Sequence, residues 1–300
     1  MIREIPQFLR KMYPFERNYV TLNCGHKMHY VSCGSGETVL LLHGHPTWSF
    51  FFRNLLLLLK SDFKCVAIDH IGYGMSDKPK RYDYSIATHI ANAINFAEIM
   101  KFRKFHIVAQ DFGATVALAM AERWPERVGS MSILNSAAFM MQNLPGIIML
   151  LKLPIMTFIF AKLFNGLIRM FIHIGTASIL DGDVLAGYLL PYKKPSARVA
   201  IVEGIHDIPW LPDHPSAEVM KTICDKAFVL TNKKVKFFWA DDDFHYGPLV
   251  LKEWQRLFPN AKCKHYPLCG HFLLEDSEEA MRDIRTFIYN ARNINGDLFR

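Results

Sequence analysis

Asp111 stands where an apolar run meets a helical pattern through a turn of small residues: Phe105-His106-Ile107-Val108-Ala109-Gln110-Asp111-Phe112-Gly113-Ala114. Ala109 and Gly113 flank the pattern of a nucleophile elbow, with a carboxylate in the reacting position. A carboxylate that attacks saturated carbon displaces a leaving group and leaves an ordinary alkyl ester. Attack on an acyl carbonyl would leave a mixed anhydride, a poor resting point, so the residue type argues against a standard esterase. Aspartate is also a favoured helix N-cap, and capping helix 113–123 is the competing reading of this position.

His271, in Cys269-Gly270-His271-Phe272, comes after the last expected strand and would activate water against an ester on Asp111. Its place after nucleophile and acid in the chain, on a Gly-His turn, sets it apart from the other histidines. Asp241, Asp242 and Asp243 follow an expected strand over 235–240, and at most one of them can meet the imidazole. Asp243 is the candidate, because a residue three past the strand can fold back over the sheet edge. Backbone N–H groups of His45 and Phe112 are the expected oxyanion and leaving-group donors. The His45 imidazole can add a hydrogen bond, whereas the Phe112 ring can only shape or dry the site.

These groups fall at the carboxyl ends of expected strands, where open α/β sheets build their sites. Strands are expected at 39–42, 65–69, 105–110, 130–134, 235–240 and 262–266, with a hairpin over 17–23 and 27–32. Helices are expected at 48–59, 84–100, 113–123, 248–258 and about 277–291. The alternation predicts an α/β protein with a mostly parallel, doubly wound sheet. A proline-interrupted helical stretch reads as an inserted cap, dividing the chain into core residues 1–135, cap 136–215 and core 216–300. Gly72-Tyr73-Gly74-Met75-Ser76 lacks the spacing of a phosphate loop and reads as a tight turn.

The chain has 300 residues, 51% of them hydrophobic, and a formal charge of +7. Basic clusters such as Lys78-Pro79-Lys80-Arg81 are short and scattered, so a nucleic-acid partner is not expected. Six cysteines without paired spacing, and an N-terminus without an apolar signal stretch, predict a cytoplasmic protein. No metal or cofactor is expected from the spacing of its ligand-type residues. Segment 139–175 is strongly apolar yet broken by Lys152, Pro154, Lys162 and Arg169, so it reads as an oily lid rather than a membrane span. A membrane surface, or a neighbouring pathway enzyme, is its expected outside contact.

Several motifs carry a family resemblance. They are His43-Gly44-x-Pro46-Thr47-Trp48-Ser49-Phe50, Asp69-His70-Ile71-Gly72-x-Gly74-x-Ser76-Asp77-Lys78-Pro79, Asn135-Ser136-Ala137-Ala138-Phe139 and Asp207-Ile208-Pro209. Together they resemble the haloalkane dehalogenases, in particular the third subfamily, which overlaps the β-lactone decarboxylases of bacterial long-chain olefin biosynthesis. The similarity runs from about Tyr13 to Glu275. It implies the α/β-hydrolase fold, an Asp111 nucleophile, a His271 base, Asp243 as the acid, and a hydrophobic small-molecule substrate. Two positions depart from the dehalogenase pattern: its halide-binding asparagine is His45 here, and its tryptophan is Phe112. Losing one such donor costs about 2.7–4 kcal/mol in a barrier, so efficient halide departure is not expected. The resemblance implies opening of a long-chain β-lactone and its decarboxylation to an alkene. Haloalkane hydrolysis is the alternative, followed by epoxide hydrolysis with cap tyrosines Tyr188 and Tyr192 as proton donors. A non-catalytic lipid- or partner-binding protein is the remaining alternative.

Overall fold

The computed structural model describes residues 5–292 except 142 and 164. Its eight strands are β1 (Asn18–Thr21), β2 (Lys27–Cys33), β3 (Thr38–Leu42), β4 (Lys64–Ile68), β5 (Phe105–Ala109), β6 (Val128–Leu134), β7 (Lys234–Ala240) and β8 (Lys262–Tyr266). They form one sheet in the order β1-β2-β4-β3-β5-β6-β7-β8. β1 and β2 pair antiparallel and β2 meets β4 antiparallel, while all strands from β4 to β8 run parallel. Every residue of β5 is buried, and all of β3 except Thr38, as parallel strands covered on both faces require. Their registry sets Leu42 opposite Ala109, so the chain leaves both strands at one level, and His45 and Asp111 start from adjacent places.

The helix after β5 spans Phe112–Arg123 and buries Ala114, Val116, Ala117 and Leu118 among others. The helix at 278–292 buries Ala280, Met281, Ile284, Ile288 and Ala291, a stripe three or four residues apart that faces the sheet. A charge at Ile284 would break that face.

Most boundaries shift by a residue or two from the sequence reading, and two of the differences have a plain physical reason. Residues 48–59 split into a 3₁₀ turn at Ser49–Phe52 and an α-helix at Arg53–Leu59. Phe50, Phe51 and Phe52 are all buried, and a tighter turn of about three residues spreads consecutive rings where one α-helical face cannot. β6 begins at Val128, where Gly129 masks the strand signal.

The Asp69–Ser76 motif is a structural knot. The Asp69 carboxylate accepts hydrogen bonds from Ser49 N (2.8 Å) and Met75 N (2.7 Å) and pairs with His29 Nδ1 (2.8 Å). It therefore ties the loop after β4 to the loop after β3 that carries His45. Gly74 has φ +49°, and a Cβ there would fall 2.1 Å from Asp69 Oδ2.

Between β6 and β7 the chain forms the helices Gly146–Leu151, Pro154–Phe158, Gly166–Gly175, Gly182–Leu189 and Val199–Asp207. The helix Pro215–Lys226 then packs back on the helices Phe112–Arg123 and Ile86–Ile99. Arg53 and Glu275 form a buried bidentate pair at 2.5 and 2.7 Å, and the cap's Tyr188 hydroxyl donates to the same carboxylate. Met149, Leu150, Leu153, Ile155 and Phe158 are exposed on the cap. Among the described residues no single helix is long and apolar enough to cross a membrane. One pair, Pro154–Ala161 with Gly166–Gly175, reaches that length only across an 89° bend.

Candidate active site

Asp111 adopts φ 55°, ψ −135°, a conformation that a non-glycine residue holds only where its surroundings enforce it. Close approach of the loop after β3 is part of that enforcement. A Cβ on Gly44 would lie 2.1 Å from Asp111 Cβ, so only glycine fits. Asp111 Oδ1 accepts the N–H groups of Phe112 (2.5 Å) and His45 (3.2 Å). Oδ2 accepts the Tyr246 hydroxyl at 3.1 Å and lies 3.6 Å from His271 Nε2. The residue thus caps its helix and also lines the cavity, so capping does not take it out of the site.

The two oxygens have different tasks available. Oδ2, held by the Tyr246 hydroxyl and by no backbone donor among the described residues, is the oxygen available to attack. Oδ1 would become the ester carbonyl, already facing the two backbone donors that would hold an oxyanion during hydrolysis. His271 Nδ1 is 2.9 Å from Asp243 Oδ2, and both side chains are buried. Asp243 Oδ1 accepts the N–H groups of His245 (2.7 Å) and Tyr246 (3.1 Å). These bonds curl the loop after β7 back over the sheet. Asp241 pairs instead with the exposed His265 at 2.7 Å. After β6, Asn135 bridges to both backbone groups of Ala240.

Burial disfavours charge on both partners of the His271–Asp243 pair, but their mutual attraction outweighs it. His271, helped by Asp111, is held above the ordinary imidazole value, and Asp243 below the ordinary carboxylate value. With Nδ1–H given to Asp243, Nε2 carries the lone pair that a general base needs. Gln110 Nε2 lies 2.6 Å from it and donates into it.

The cavity next to Asp111 holds about 850 Å³ of atom-free space, open mouth included. Asp111, His271, His45 and Phe112 all line it. The cap's share of the lining is mostly apolar, with Met141, Ile148, Phe171 and Ile205; it also includes Asp207, whose carboxylate accepts Ile86 N (2.7 Å) and the Ser216 hydroxyl (2.5 Å). The Phe112 ring packs against His70, His89 and Tyr73, with centroids 5.0–5.8 Å apart, and offers no donor. His45 Nδ1 lies 3.1 Å from the Tyr73 hydroxyl, and burial lowers its pKa to about 4.

Tyr188 and Tyr192 do not line this cavity. The Tyr188 hydroxyl is engaged by Glu275, and that of Tyr192 accepts Gly74 N at 2.9 Å. Both expected epoxide-protonating tyrosines are thereby corrected to framework roles. Tyr246, Gln110 and His245 are site residues that the sequence reading did not assign. Tyr246 and His245 lie within three residues of the acid, and Gln110 adjoins the nucleophile; that adjacency is the only signal they carry.

The alpha/beta hydrolase fold family matches residues 37–278, and the chain belongs to that family. It is 28% identical over 294 residues to a cis-3-alkyl-4-alkyloxetan-2-one decarboxylase of Shewanella oneidensis, covering 95% of this chain and 92% of that one. It is 25% identical over 272 residues to haloalkane dehalogenase 2 of Mycobacterium bovis, covering 90% and 93%. The fold superposes on the haloalkane dehalogenase DbeA of Bradyrhizobium elkani with a TM-score of 0.84 at 21% identity, over 93% of this chain and 99% of the other. The chain is an enzyme of the alpha/beta hydrolase fold, with decarboxylases and dehalogenases as its relatives.

Proposed function

We propose that Asp111 Oδ2 attacks the saturated, oxygen-bearing ring carbon of a long-chain dialkyl β-lactone, and that the resulting ester loses carbon dioxide to give an alkene. One observation carries this reading. The leaving-group side of the Asp111 cavity presents a phenyl ring at 112 where a halide would need an N–H, beside a His45 imidazole suited to an oxygen anion. The relatives that act on alkyloxetanones, which are β-lactones, support the same choice. Incubating the enzyme with a cis-dialkyl β-lactone should yield the alkene by gas chromatography. Folded protein that gives none would refute the proposal.

Haloalkane hydrolysis is the second reading, supported by the dehalogenase relatives. Bromide release from 1-bromobutane, abolished by Asp111→Ala and faster than alkene formation from the lactone, would favour it. Combining His45→Asn with Phe112→Trp should then raise the rate.

The reading extends to how a greasy substrate arrives. Residues 136–180 contain Lys152, Lys162 and Arg169 and no acid. Exposed Leu153, Ile155 and Phe158 lie on the same segment, a composition complementary to an anionic lipid surface. Phosphatidylglycerol vesicles should sediment the protein, and Ile155→Glu with Phe158→Glu should release it. Equal recovery in the supernatant with and without vesicles would argue against that contact.

A further inference from the structure

Opening a lactone at saturated carbon moves negative charge from Asp111 onto the departing oxygens. That charge must be received inside the cavity, and Phe112 cannot receive it. His45 Nε2 and His245 Nδ1 are buried there without a hydrogen-bond partner among the described residues. An unpaired buried polar atom is costly unless a ligand completes it. Both imidazoles sit within electrostatic reach of Asp111, and His45 within reach of His245.

Burial lowers the pKa of each to about 4, so at neutral pH each carries one N–H. The Tyr73 hydroxyl faces both Ala200 O (3.2 Å) and His45 Nδ1 (3.1 Å). While it donates to Ala200 O the His45 hydrogen sits on Nδ1; an anion arriving at Nε2 favours the other tautomer, with the hydroxyl turned to Nδ1 and the His45 hydrogen on Nε2. Tyr246 supplies a third donor. Its hydroxyl holds Asp111 Oδ2, and that bond weakens as Oδ2 becomes an ester oxygen.

We infer that His45, His245 and Tyr246 form a subsite for the carboxylate that leaves carbon when Asp111 attacks. The inference rests on the β-lactone reading above. The Oδ2–C bond forms as the ring C–O bond breaks, and its electron pair passes to the carboxylate. The bond from the neighbouring carbon to that carboxylate then breaks to release carbon dioxide. Its electrons form the C=C bond, and the C–Oδ2 bond breaks to restore Asp111. No water, proton or redox partner is consumed. Two oxygens with about four lone-pair directions can satisfy three donors from two loops. Once carbon dioxide departs, the subsite faces no charge and the neutral alkene is free to leave.

The test uses the full chain carrying Asp111→Asn, whose neutral side chain resembles the ester. Calorimetry with decanoate and 1-decanol should show decanoate binding roughly tenfold tighter or more, the scale of hydrogen bonds to a charged group. His45→Leu or His245→Leu on that background should weaken decanoate by a similar factor and leave 1-decanol unchanged. If a leucine variant also loses 1-decanol, His45→Gln and His245→Gln replace it. These keep an N–H donor, so decanoate should stay the tighter ligand; its loss with 1-decanol retained overturns the subsite. So does decanoate binding no tighter than 1-decanol, or indifference to both leucine changes. Alkene formation by the unmodified enzyme is scored separately. Alkene without carboxylate preference removes the subsite and keeps the β-lactone reading; carboxylate preference without alkene does the reverse.

Discussion

The two walls of the Asp111 cavity are made by different means. On the sheet side, each functional atom is fixed by hydrogen bonds: Asp111 by Phe112 N, His45 N and Tyr246, and His271 by Asp243. On the cap side, Met141, Ile148, Phe171 and Ile205 supply apolar surface. Directional bonds hold atoms to the tolerance that bond-making requires, whereas apolar contact sets only volume and shape. The sheet wall is therefore the one built to the tolerance of bond-making, and the cap wall the one built for shape.

Changes on the sheet wall should dominate. Asp111→Asn is expected to abolish turnover of every substrate, by a factor on the order of 10⁶, as loss of a nucleophile does. Product formation within a hundredfold of the parent would show that another group attacks. Asp243→Asn should cost up to about 10⁴-fold in hydrolysis of a bromoalkane by fixing the wrong imidazole tautomer.

The pH dependence has a definite sign. His271 must be neutral to take a proton from water, and its pKa is raised, with burial opposing and Asp243 and Asp111 prevailing. Hydrolysis in the parent should fall with acidity from above about pH 6.5, the ordinary imidazole value. Residual activity of the Asp243→Asn variant should hold to lower pH, since its imidazole has lost the partner that raised it. An unshifted acid limb would mean that another group titrates.

The joint between the walls should matter for stability. Arg53→Met would leave Glu275 buried without its cation while Tyr188 still donates to it. Such a change is expected to cost about 3–5 kcal/mol in urea unfolding. A loss below about 1 kcal/mol would place the pair among exposed ones. Ile148→Ala, on the cap wall, should alter selectivity between lactones of different chain length by roughly tenfold, the scale of pocket methylenes. It should leave the alkene-to-hydrolysis ratio unchanged. A changed ratio would erase the distinction between the walls.

The same division explains what the sequence made legible. Asp111 and His271 are set by local pattern, a strand delivering a short turn, and such a pattern survives without knowledge of packing. Asp243 was separable from Asp241 and Asp242 by its distance from the strand end. The structure supplies the reason: two backbone N–H groups fold the loop around its carboxylate. Tyr246 was not legible, because its approach to Asp111 across 135 residues depends on that same fold-back. In the cap, Gly146–Leu151 is apolar at every position after its glycine, so periodicity does not tell which side chains face the substrate. Tyr188 and Tyr192 drew attention by residue type, but their hydroxyls are spent on Glu275 and Gly74.

The most direct test asks whether Asp111 becomes an alkyl ester. Full-length protein carrying His271→Ala would be incubated with 1-bromohexane, whose ester has no carboxylate to lose, then acid-quenched and digested for mass spectrometry. A hexyl group on the peptide containing Asp111, absent when Asp111→Asn is added, is the expected result. An unmodified Asp111 peptide from folded protein that still releases bromide would contradict it.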